Sequence, residues 1–330
     1  MRVCVLSGGI GGARFTEGLR STLGPDDQIT VVANTADDIW LFGLKICPDL
    51  DTVMYTLGGG IDDERRWGRA HETWNAKEEL LAYGVQPDWF GLGDRDLATH
   101  LVRTQMLSAG YGLSDVTRAL CRRWDTGVEL LAMSDDRVET HVLVDDDESD
   151  SGQRAIHFQE YWVRLRASVP VRGVVVVGLE SATAGPGVVD EIEQSDLVVV
   201  APSNPIVSVG PIVGVAEIRE ALRRTTAPVV GVSPIVGGAA VRGMADQLLS
   251  GLGVEVSAAG VGRHYGARDR GGLLDAWLVD SGDEAEVATL REAGVEAHAR
   301  PLLMSDDALT TALAADTLEV GLALRDRPRP

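Results

Sequence analysis

The sequence predicts an α/β fold, a Rossmann-like and mostly parallel sheet with a helical cap or insertion. Two short apolar runs near the start, at 3–6 and 29–33, enclose a glycine-rich loop and a helical pattern. Similar apolar runs alternate with helical patterns in the second half of the chain. Between these two parts lies a mostly helical stretch. A β-loop-α-β opening followed by more β/α alternation is typical of a parallel sheet.

The first elements are a strand over 3–6, a helix over 13–23 that ends before Gly24-Pro25, and a second strand over 29–33. The middle of the chain predicts helices instead. They are expected at 51–57, 73–83, 94–108 and 114–124. We therefore predict a core made of 1–50 and 128–330, with 51–127 as the helical cap or insertion.

After the cap, 128–133 and 138–144 are expected to form a strand pair. Short continuous apolar runs then predict strands that are buried on both faces; they lie at 174–177, 197–201, 229–233 and 276–279. Helices are predicted between and after them, at 187–194, 211–224, 241–251 and 283–293. The tail, 325–330, is expected to fray.

Composition limits the class of function. The chain has 330 residues and a net charge of −20, which disfavours nucleic acid and anionic membrane as partners. The three cysteines have no CxxC spacing, which fits a reducing compartment. No signal-peptide pattern or apolar stretch of about 20 residues occurs, so we expect a cytoplasmic protein without a membrane partner. An anionic ligand would need local help from backbone N–H groups, arginines or a divalent cation.

The loop after the first strand, SGGIGGAR, places Gly8, Gly9, Gly11 and Gly12 before a helix. Glycines at this point let backbone N–H groups approach a phosphate. The loop is a poor dinucleotide fingerprint, because Arg14 stands where Gly or Ala is expected and no acidic residue ends the second strand. No Walker A lysine follows. A phosphate or ribose cradle and a ligand-free tight turn both remain open, and Arg14 is either a charge contact or a surface residue.

Four carboxylates, Asp37, Asp38, Asp49 and Asp51, follow the second strand. Read singly, Asp37-Asp38 is a turn, and Asp49 or Asp51 is a helix N-cap. Read together, two acidic clusters beside a glycine loop at the carboxyl edge of the sheet suit Mg²⁺, which prefers carboxylate, water and phosphate oxygens. We expect Asp38 and Asp49 to be structural and Asp51, followed by Asp37, to serve the site.

Two further segments carry polar groups. GDRDLATH begins a helix in which Asp94 is a plausible cap, and Arg95 and His100 are harder to assign. APSNPIVSVGP follows a predicted strand and offers Ser203, Asn204 and Ser208. Its two prolines favour a stiff loop, suited to base or phosphate recognition or to a structural crossover. VSPIVGG repeats this arrangement, which favours a composite pocket. No GxSxG motif is present, so a covalent hydrolase has no support.

Taken together, eight motifs resemble the 2-phospho-L-lactate transferase family, known as CofD in archaea and FbiA in actinobacteria. They are SGGIGGARF, NTADDIW, ICPDLDTVMYTLGGGID, WGRAHETW, GLGDRDLATH, IHFQEYWVR, APSNPIVSVGPI and VSPIVGG. The match runs from residue 1 to about 305 in the same order, and it is similar to the actinobacterial branch.

The resemblance implies a step in the synthesis of coenzyme F(420). A phosphate that carries a three-carbon acid, enolpyruvate or lactate, would pass from a guanosine-diphosphate-linked donor to the ribityl hydroxyl of the deazaflavin Fo, and GMP would leave. Mg²⁺ would be the cofactor and the chain a homodimer. The cap would contribute to the acceptor pocket, and its tryptophans suit a flat tricyclic ring.

The same resemblance assigns site residues. Asp51 and Arg95 match positions that contact Fo, and Asp37 and Asp51 match an acidic pair with catalytic and metal-binding roles. The donor's guanosine-diphosphate side falls on the glycine loop with Arg14 and on the SNPI loop; these residues are Gly8, Gly9, Gly11, Gly12, Arg14, Ser203, Asn204, Pro205 and Ser208. Two alternatives are kept, an NAD- or flavin-dependent oxidoreductase and a non-catalytic nucleotide-binding regulator.

Overall fold

The structure is a computed structural model that describes residues 1–326, and its core is a seven-stranded sheet whose neighbouring strands are all parallel. The strands of the described chain are β1 Arg2–Ser7, β2 Gln28–Ala33, β3 Ile39–Leu41, β4 Leu44–Ile46, β5 Glu129–Ala132, β6 Glu139–Asp145, β7 Gln153–His157, β8 Gly173–Val177, β9 Leu197–Val200, β10 Val229–Val232, β11 Ile235–Val236, β12 Ala239–Ala240, β13 Ala276–Asp280 and β14 Glu296–Arg300.

The described chain has helices on both faces of this sheet and further helices away from it. They are α1 Ile10–Thr22, α2 Pro48–Leu57, α3 Asn75–Ala82, α4 Asp94–Ser108, α5 Leu113–Cys121, α6 Val188–Gln194, α7 Val209–Gly214, α8 Ala216–Arg224, α9 Ala245–Gly251, α10 Ala258–Tyr265, α11 Glu286–Glu292 and α12 Asp307–Arg325, with a π-helical turn at Glu160–Arg164 and 3₁₀ turns at Leu179–Ser181, Arg268–Arg270 and Ser281–Asp283. No helix in residues 1–326 has the length and apolar character needed to span a membrane.

The sheet order is β14-β13-β10-β9-β1-β2-β5. The chain moves outward from β1 through β2 to β5, returns to β9 on the other side of β1, and continues outward to β14. The loops after β1 and β9 therefore diverge, which opens a crevice at the carboxyl ends of these two strands. The predicted α/β class with a mostly parallel sheet is confirmed.

Alternating side chains of the strands feed two hydrophobic clusters, one on each face. In β1, Val3 and Val5 belong to the cluster on the side of α1, α2 and α12, whereas Cys4 and Leu6 belong to the cluster on the side of α6 to α8. Every residue of β9 and β10 is buried. Runs such as LVVV and VVGV form strands here because both sides of each strand meet apolar neighbours.

A second sheet is antiparallel, with the order β7-β6-β8. The expected pairing of 128–133 with 138–144 is wrong, because β5 joins the edge of the main sheet beside β2 and β6 is the centre of the second sheet. The run at 174–177 is a strand, β8, but it lies at an edge of this antiparallel sheet, where Val175 and Val177 are exposed. An apolar run indicates a strand without naming its partner.

The cap segment, 51–127, contains most of α2 and all of α3, α4 and α5. Within it, α2 packs on α1, and α4 packs on β4 and α5. The hairpin of β3 and β4 forms a small apolar cluster with Leu92 and the neighbouring Trp89 and Phe90. The division of the chain into core and cap stays a prediction, and these contacts show where the two segments meet.

Several elements were not predicted: the β3–β4 and β11–β12 hairpins, β7, α10, β14 and α12. The predicted helix over 211–224 consists of two helices, α7 and α8, which are separated by Val215 in an extended conformation. Helix α12 packs along α1, so the C-terminal segment completes one face of the core. Of the tail predicted to fray, all but Arg325 and Asp326 lie outside the described residues.

Candidate functional site

The glycine loop and the SNPI loop contact each other at the crevice between β1 and β9. The Gly8 backbone N–H donates to Ser203 Oγ at 3.0 Å. A Cβ at Gly11 would lie 2.3 Å from the Pro202 carbonyl oxygen, and one at Gly8 would lie 2.2 Å from Ser208 Cβ. The glycines are therefore required for the close approach of two loops. This packing role is compatible with a tight turn and with a phosphate cradle.

The SNPI loop uses part of its polar capacity internally. The Asn204 side-chain oxygen accepts hydrogen bonds from the N–H groups of Ile206 (2.9 Å) and Val207 (3.2 Å), which closes a local turn. Pro205 and Ser208 are buried beside it. The loop presents Ser203 and Ser208 to the glycine loop, and its stiffness stays a prediction.

Asp37 and Asp49 form one buried carboxylate network. The Asn34 amide nitrogen donates to Asp37 Oδ1 at 2.9 Å and to Asp49 Oδ2 at 3.0 Å, and Gln159 Nε2 donates to Asp37 Oδ2 at 3.2 Å. Burial raises the pKa of Asp37 well above its ordinary value, and the neighbouring charges of Asp49 and Asp38 add to this effect. Burial also raises the pKa of Asp49 to about 6, although hydrogen bonds from Asn34 and the Gly9 backbone oppose the shift.

Asp49 is not the N-cap that its position suggested. Cys47 occupies the cap position of α2 without a side-chain hydrogen bond, and Asp49 lies in the first turn of the helix. A Cβ at Gly9 would come within 2.6 Å of Asp49 Oδ1, so this carboxylate faces the glycine loop. Asp38 is also fully buried, and it pairs with Lys45, whose Nζ lies 3.1 Å from Asp38 Oδ2.

Asp51 belongs to a second buried network, which joins α2 to α4. Both Asp51 oxygens accept hydrogen bonds from Arg103, with Nη1 at 3.0 Å from Oδ2 and Nη2 contacting Oδ1. Burial alone would lower the pKa of Arg103, but the Asp51 carboxylate raises it above its ordinary value. Arg103 is 1% exposed and Asp51 is 5% exposed, so this is a buried, bidentate ion pair.

His100, Asp96 and Tyr55 extend the Asp51 network. Arg103 Nη1 lies 3.1 Å from His100 Nδ1, His100 Nε2 lies 3.4 Å from Asp96 Oδ2, and the Tyr55 hydroxyl donates to Asp96 Oδ1 at 2.6 Å. Burial would raise the pKa of Asp96, yet hydrogen bonds from His100 and Tyr55 lower it. Burial and the charges of Asp51 and Asp96 raise the pKa of Tyr55 well above its ordinary value.

The group formed by Asp51, Asp96 and His100 can hold a metal ion. One ligand atom of each residue lies within 4.8 Å of the others, and His100 Nε2 is buried and faces Asp96. Arg103 sets a condition on this site. An imidazole whose Nδ1 accepts from Arg103 carries its proton on Nε2, so coordination through Nε2 requires Arg103 to release Nδ1. The two carboxylates remain available to a hard cation under either arrangement.

Arg95 and Asp94 lie at the start of α4. Arg95 is exposed, and its guanidinium makes one long contact, 3.5 Å, to the Ala70 carbonyl. Asp94 does not cap its own helix: its carboxylate accepts from the backbone N–H groups of Asn75 and Ala76 at the start of α3. Glu72 instead accepts from the N–H groups of Arg95 and Asp96. Asp94 thus caps α3 and Glu72 caps α4. This exchange was not predicted, because the two residues are far apart in the sequence.

Arg103 and Asp96 were not predicted from the sequence as members of the Asp51 network. A signal existed, because Asp96, His100 and Arg103 follow an i, i+4, i+7 spacing that places them on one face of α4. What the spacing does not reveal is that this face meets α2. Arg69 was also not predicted as a residue of the site. It is 7% exposed and stacks on the rings of Trp124 (4.5 Å) and Tyr55 (5.3 Å), without an ion-pair partner in residues 1–326.

Comparisons with known proteins identify the family of the chain. The family described as 2-phospho-L-lactate transferase CofD matches residues 3–317. Proteins named phosphoenolpyruvate transferase are similar over almost their whole length. The one from Streptomyces griseus is 59% identical over 98% of this chain and 100% of its own, and the one from Nocardia farcinica is 56% identical over 97% and 94%. A Streptomyces coelicolor protein of the same name is 59% identical over 99% and 100%.

Two crystal structures of a Bacillus halodurans protein share the fold, with TM-scores of 0.63 and 0.62, at 18% and 16% identity. They cover 96% of this chain, and the match spans 98% and 99% of their own chains. The chain belongs to the CofD family of 2-phospho-L-lactate transferases. It is therefore a transferase, which decides against the oxidoreductase and against the non-catalytic regulator.

Proposed function

We propose that this CofD-family enzyme transfers a phosphate carrying a three-carbon acid from a guanosine-diphosphate-linked donor to the ribityl hydroxyl of Fo, in the synthesis of coenzyme F(420). The observation that carries the proposal is that α2 brings two carboxylates together with two different parts of the molecule. Asp49 faces the glycine loop at the crevice, and Asp51, two residues later, contacts α4 of the cap segment. The donor would lie on the crevice side and Fo on the cap side.

The reaction joins the ribityl oxygen to the phosphorus that bears the acid. That P–O bond forms while the bond from the same phosphorus to the GMP oxygen breaks, GMP takes the bonding electron pair, and the hydroxyl proton leaves. Such a transfer needs positioning and charge neutralisation more than a covalent nucleophile. The backbone N–H group of Gly11 in the first turn of α1 would bind the diphosphate, since that of Gly9 donates to Asp49. Ser203 and Ser208 would border it.

Asp51 would hold the acceptor hydroxyl. Its carboxylate is fixed by the Arg103 guanidinium on two hydrogen bonds, so its remaining lone pairs have a defined direction. A carboxylate in this position can accept a hydrogen bond from the ribityl hydroxyl and draw off its proton. Arg95, exposed at the start of α4, would contact the acceptor from the cap. The aromatic residues of the cap would bind the flat deazaflavin ring.

Mg²⁺ is the proposed cofactor, because hard carboxylate oxygens of Asp51 and Asp96 fit it better than a set rich in nitrogen or sulfur. When bound, it would neutralise charge on the phosphate oxygens. Asp37, the other metal ligand proposed from the sequence, is hydrogen-bonded to Asn34 and Gln159. We therefore give Asp96 priority over Asp37 as the partner of Asp51, and keep Asp37 as a candidate.

The test is transfer from enolpyruvyl, lactyl and glyceryl donors in competition, with the product identified by mass spectrometry. We expect the enolpyruvyl product to dominate, since the similar actinobacterial proteins are named phosphoenolpyruvate transferases. Asp51→Asn should lower kcat at least a hundredfold, whereas the matched surface variant Asp115→Asn on α5 should keep it. Full activity of Asp51→Asn would falsify the proposed role of this residue.

Metal dependence is tested separately. Excess chelator should abolish transfer, and added Mg²⁺ should restore it; undiminished turnover in chelator would remove the metal from the proposal. We also propose that the chain is a cytoplasmic homodimer. Sedimentation equilibrium of the purified protein distinguishes a dimer from the 35.2 kDa monomer.

A further inference from the structure

A cavity of about 230 Å³ lies beside the start of α1, and three arginines line it. Arg14 comes from α1, Arg66 from the cap segment and Arg242 from the loop between β12 and α9. Ile10, the first residue of α1, and Thr56 of α2 also border the cavity. It therefore opens where the glycine loop, the cap and the second half of the core meet.

The charge in this cavity is unusual for the protein. The chain carries a net charge of −20, yet three guanidinium groups meet here and Glu17 is the acidic residue that lines the cavity with them. Burial raises the pKa of Glu17, and the nearby Arg14, Arg20 and Arg66 oppose this shift. An anion of suitable size would be attracted to this point despite the acidic surface around it.

The contacts of the arginines leave donors free for such an anion. Arg14 is held by the Met304 carbonyl at 3.1 Å and by Asp307 at 3.1 Å, so its place at the cavity wall is fixed. Arg242 donates Nη2 to the Arg65 carbonyl at 3.3 Å and has no ion-pair partner in residues 1–326. Arg66 lies 3.5 Å from the exposed carboxylate of Asp63. The hydrogen bond from Arg242 to the Arg65 carbonyl joins the β12–α9 loop of the core to the cap. Arg66 of the cap and Arg242 of the core therefore line the same cavity.

We propose that Arg66 and Arg242, with Arg14, bind an oxyanion of the donor, either a phosphate or the carboxylate of its three-carbon acid. The inference rests on the proposed function, because it assigns the ligand of this cavity to that reaction. Guanidinium groups bind both oxyanions through paired N–H···O bonds. The cavity borders the helix start that would take the diphosphate, so an anionic end of the same molecule is within reach of its arginines.

The experiment uses Arg66→Gln, Arg242→Gln and the double variant, with Arg118→Gln as the matched control. Arg118 is an exposed arginine on α5 that pairs with Asp115 and is not part of the cavity lining, so its replacement removes the same charge at another place. The measurements are the KM for the enolpyruvyl donor, the KM for Fo, and the Kd of GDP and of phosphoenolpyruvate by calorimetry. Circular dichroism checks that each variant is folded.

Loss of a charge-assisted contact corresponds to about a tenfold weaker interaction or more. We expect the donor KM to rise about tenfold in each Gln variant while the Fo KM stays within about twofold. If the Kd of GDP rises as well, the bound oxyanion is a phosphate; if the donor KM rises while the Kd of GDP stays unchanged, it is the carboxylate. Unchanged donor KM and unchanged Kd values in the double variant overturn the inference.

Failure of the proposed function is distinguishable from failure of the inference. A wild-type protein that makes no product from Fo and any of the donors refutes the proposed function. The two Kd values, which need no turnover, still decide whether the arginines bind an oxyanion. Equal affinities in the wild type and the double variant would then refute the anion site as well.

Discussion

The ion pair of Asp51 and Arg103 gives the sharpest prediction. Removing either side chain leaves the charge of the other buried and unpaired. Asp51→Leu deprives the Arg103 guanidinium of two hydrogen bonds in a place where it is 1% exposed. Breaking a buried pair in this way costs about 3–5 kcal/mol of unfolding free energy. Asp38 attracts Arg103 from nearby, so we expect the lower half of this range. Arg103→Met should cost a similar amount, since it leaves the Asp51 carboxylate unpaired.

The double variant, Asp51→Leu with Arg103→Met, separates structure from catalysis. Replacing both partners by apolar groups removes the two unpaired charges. His100 Nδ1 still loses its donor, which costs about 1–3 kcal/mol. We therefore expect the double variant to be more stable than the sum of the single variants by at least about 2 kcal/mol. Transfer activity should remain absent in the double variant, because the acceptor-binding carboxylate is gone.

The assay is chemical denaturation of all four proteins at pH 7, together with transfer activity at equal folded concentration. Three results would refute the reasoning. A cost below about 1 kcal/mol for Asp51→Leu would mean that the pair is not buried as described. Purely additive costs would mean that the two side chains do not interact. Recovered activity in the double variant would show that Asp51 serves the fold alone.

Three further predictions concern Asp94, Gly11 and Arg95. Hydrogen bonds from Thr73, Ala76 and Asn75 lower the pKa of Asp94 to about 2. Asp94 should therefore contribute stability that is present above its unfolded pKa near 3.8 and is lost as the pH falls towards 2. The Tm difference between wild type and Asp94→Ala should close in this range, and a constant difference would contradict the prediction. Gly11→Ala should destabilise the protein by about 1–3 kcal/mol, because the backbone oxygen of Pro202 cannot move aside as a flexible side chain would; denaturation beside Gly24→Ala, where the nearest atom lies at an ordinary 3.5 Å, is the check. Arg95→Gln should raise the Fo KM about tenfold with the Tm unchanged, because its guanidinium makes one long contact; an unchanged Fo KM would remove Arg95 from the acceptor site.

The fold was predictable where local pattern and tertiary environment agree. Continuous apolar runs gave β9 and β10 because each of their residues is buried. The helix predicted at 94–108 is α4 with the same bounds. Prediction failed where the partner decides, as for β5 and β6, which follow one another along the chain yet belong to different sheets. Strand pairing depends on long-range packing that a local pattern does not encode.

The candidate site shows the same limit. The loops that carry glycines, carboxylates and the SNPI motif were predicted at one edge of the sheet, and the structure brings them together there. Hydrogen-bond partners from distant segments were not predicted, because the sequence near Asp51 does not indicate that an arginine 52 residues away will pair with it. The same holds for Arg242, which reaches the cavity from a segment with no recognisable motif.

The four carboxylates after β2 form two groups, one with cationic partners and one without, and the groups do not follow the order of the residues in the sequence. Asp38 is neutralised by Lys45 and Asp51 by Arg103, so both charges are compensated by cations of the chain. Asp37 and Asp49 share one neutral amide, that of Asn34, and this leaves their charge uncompensated. Burial raises the pKa of both, and it raises the pKa of Asp38 as well in spite of Lys45. Since Asp49 faces the glycine loop, an anionic donor bound there would meet this charge, and the arginine cavity beside the loop would offset the repulsion.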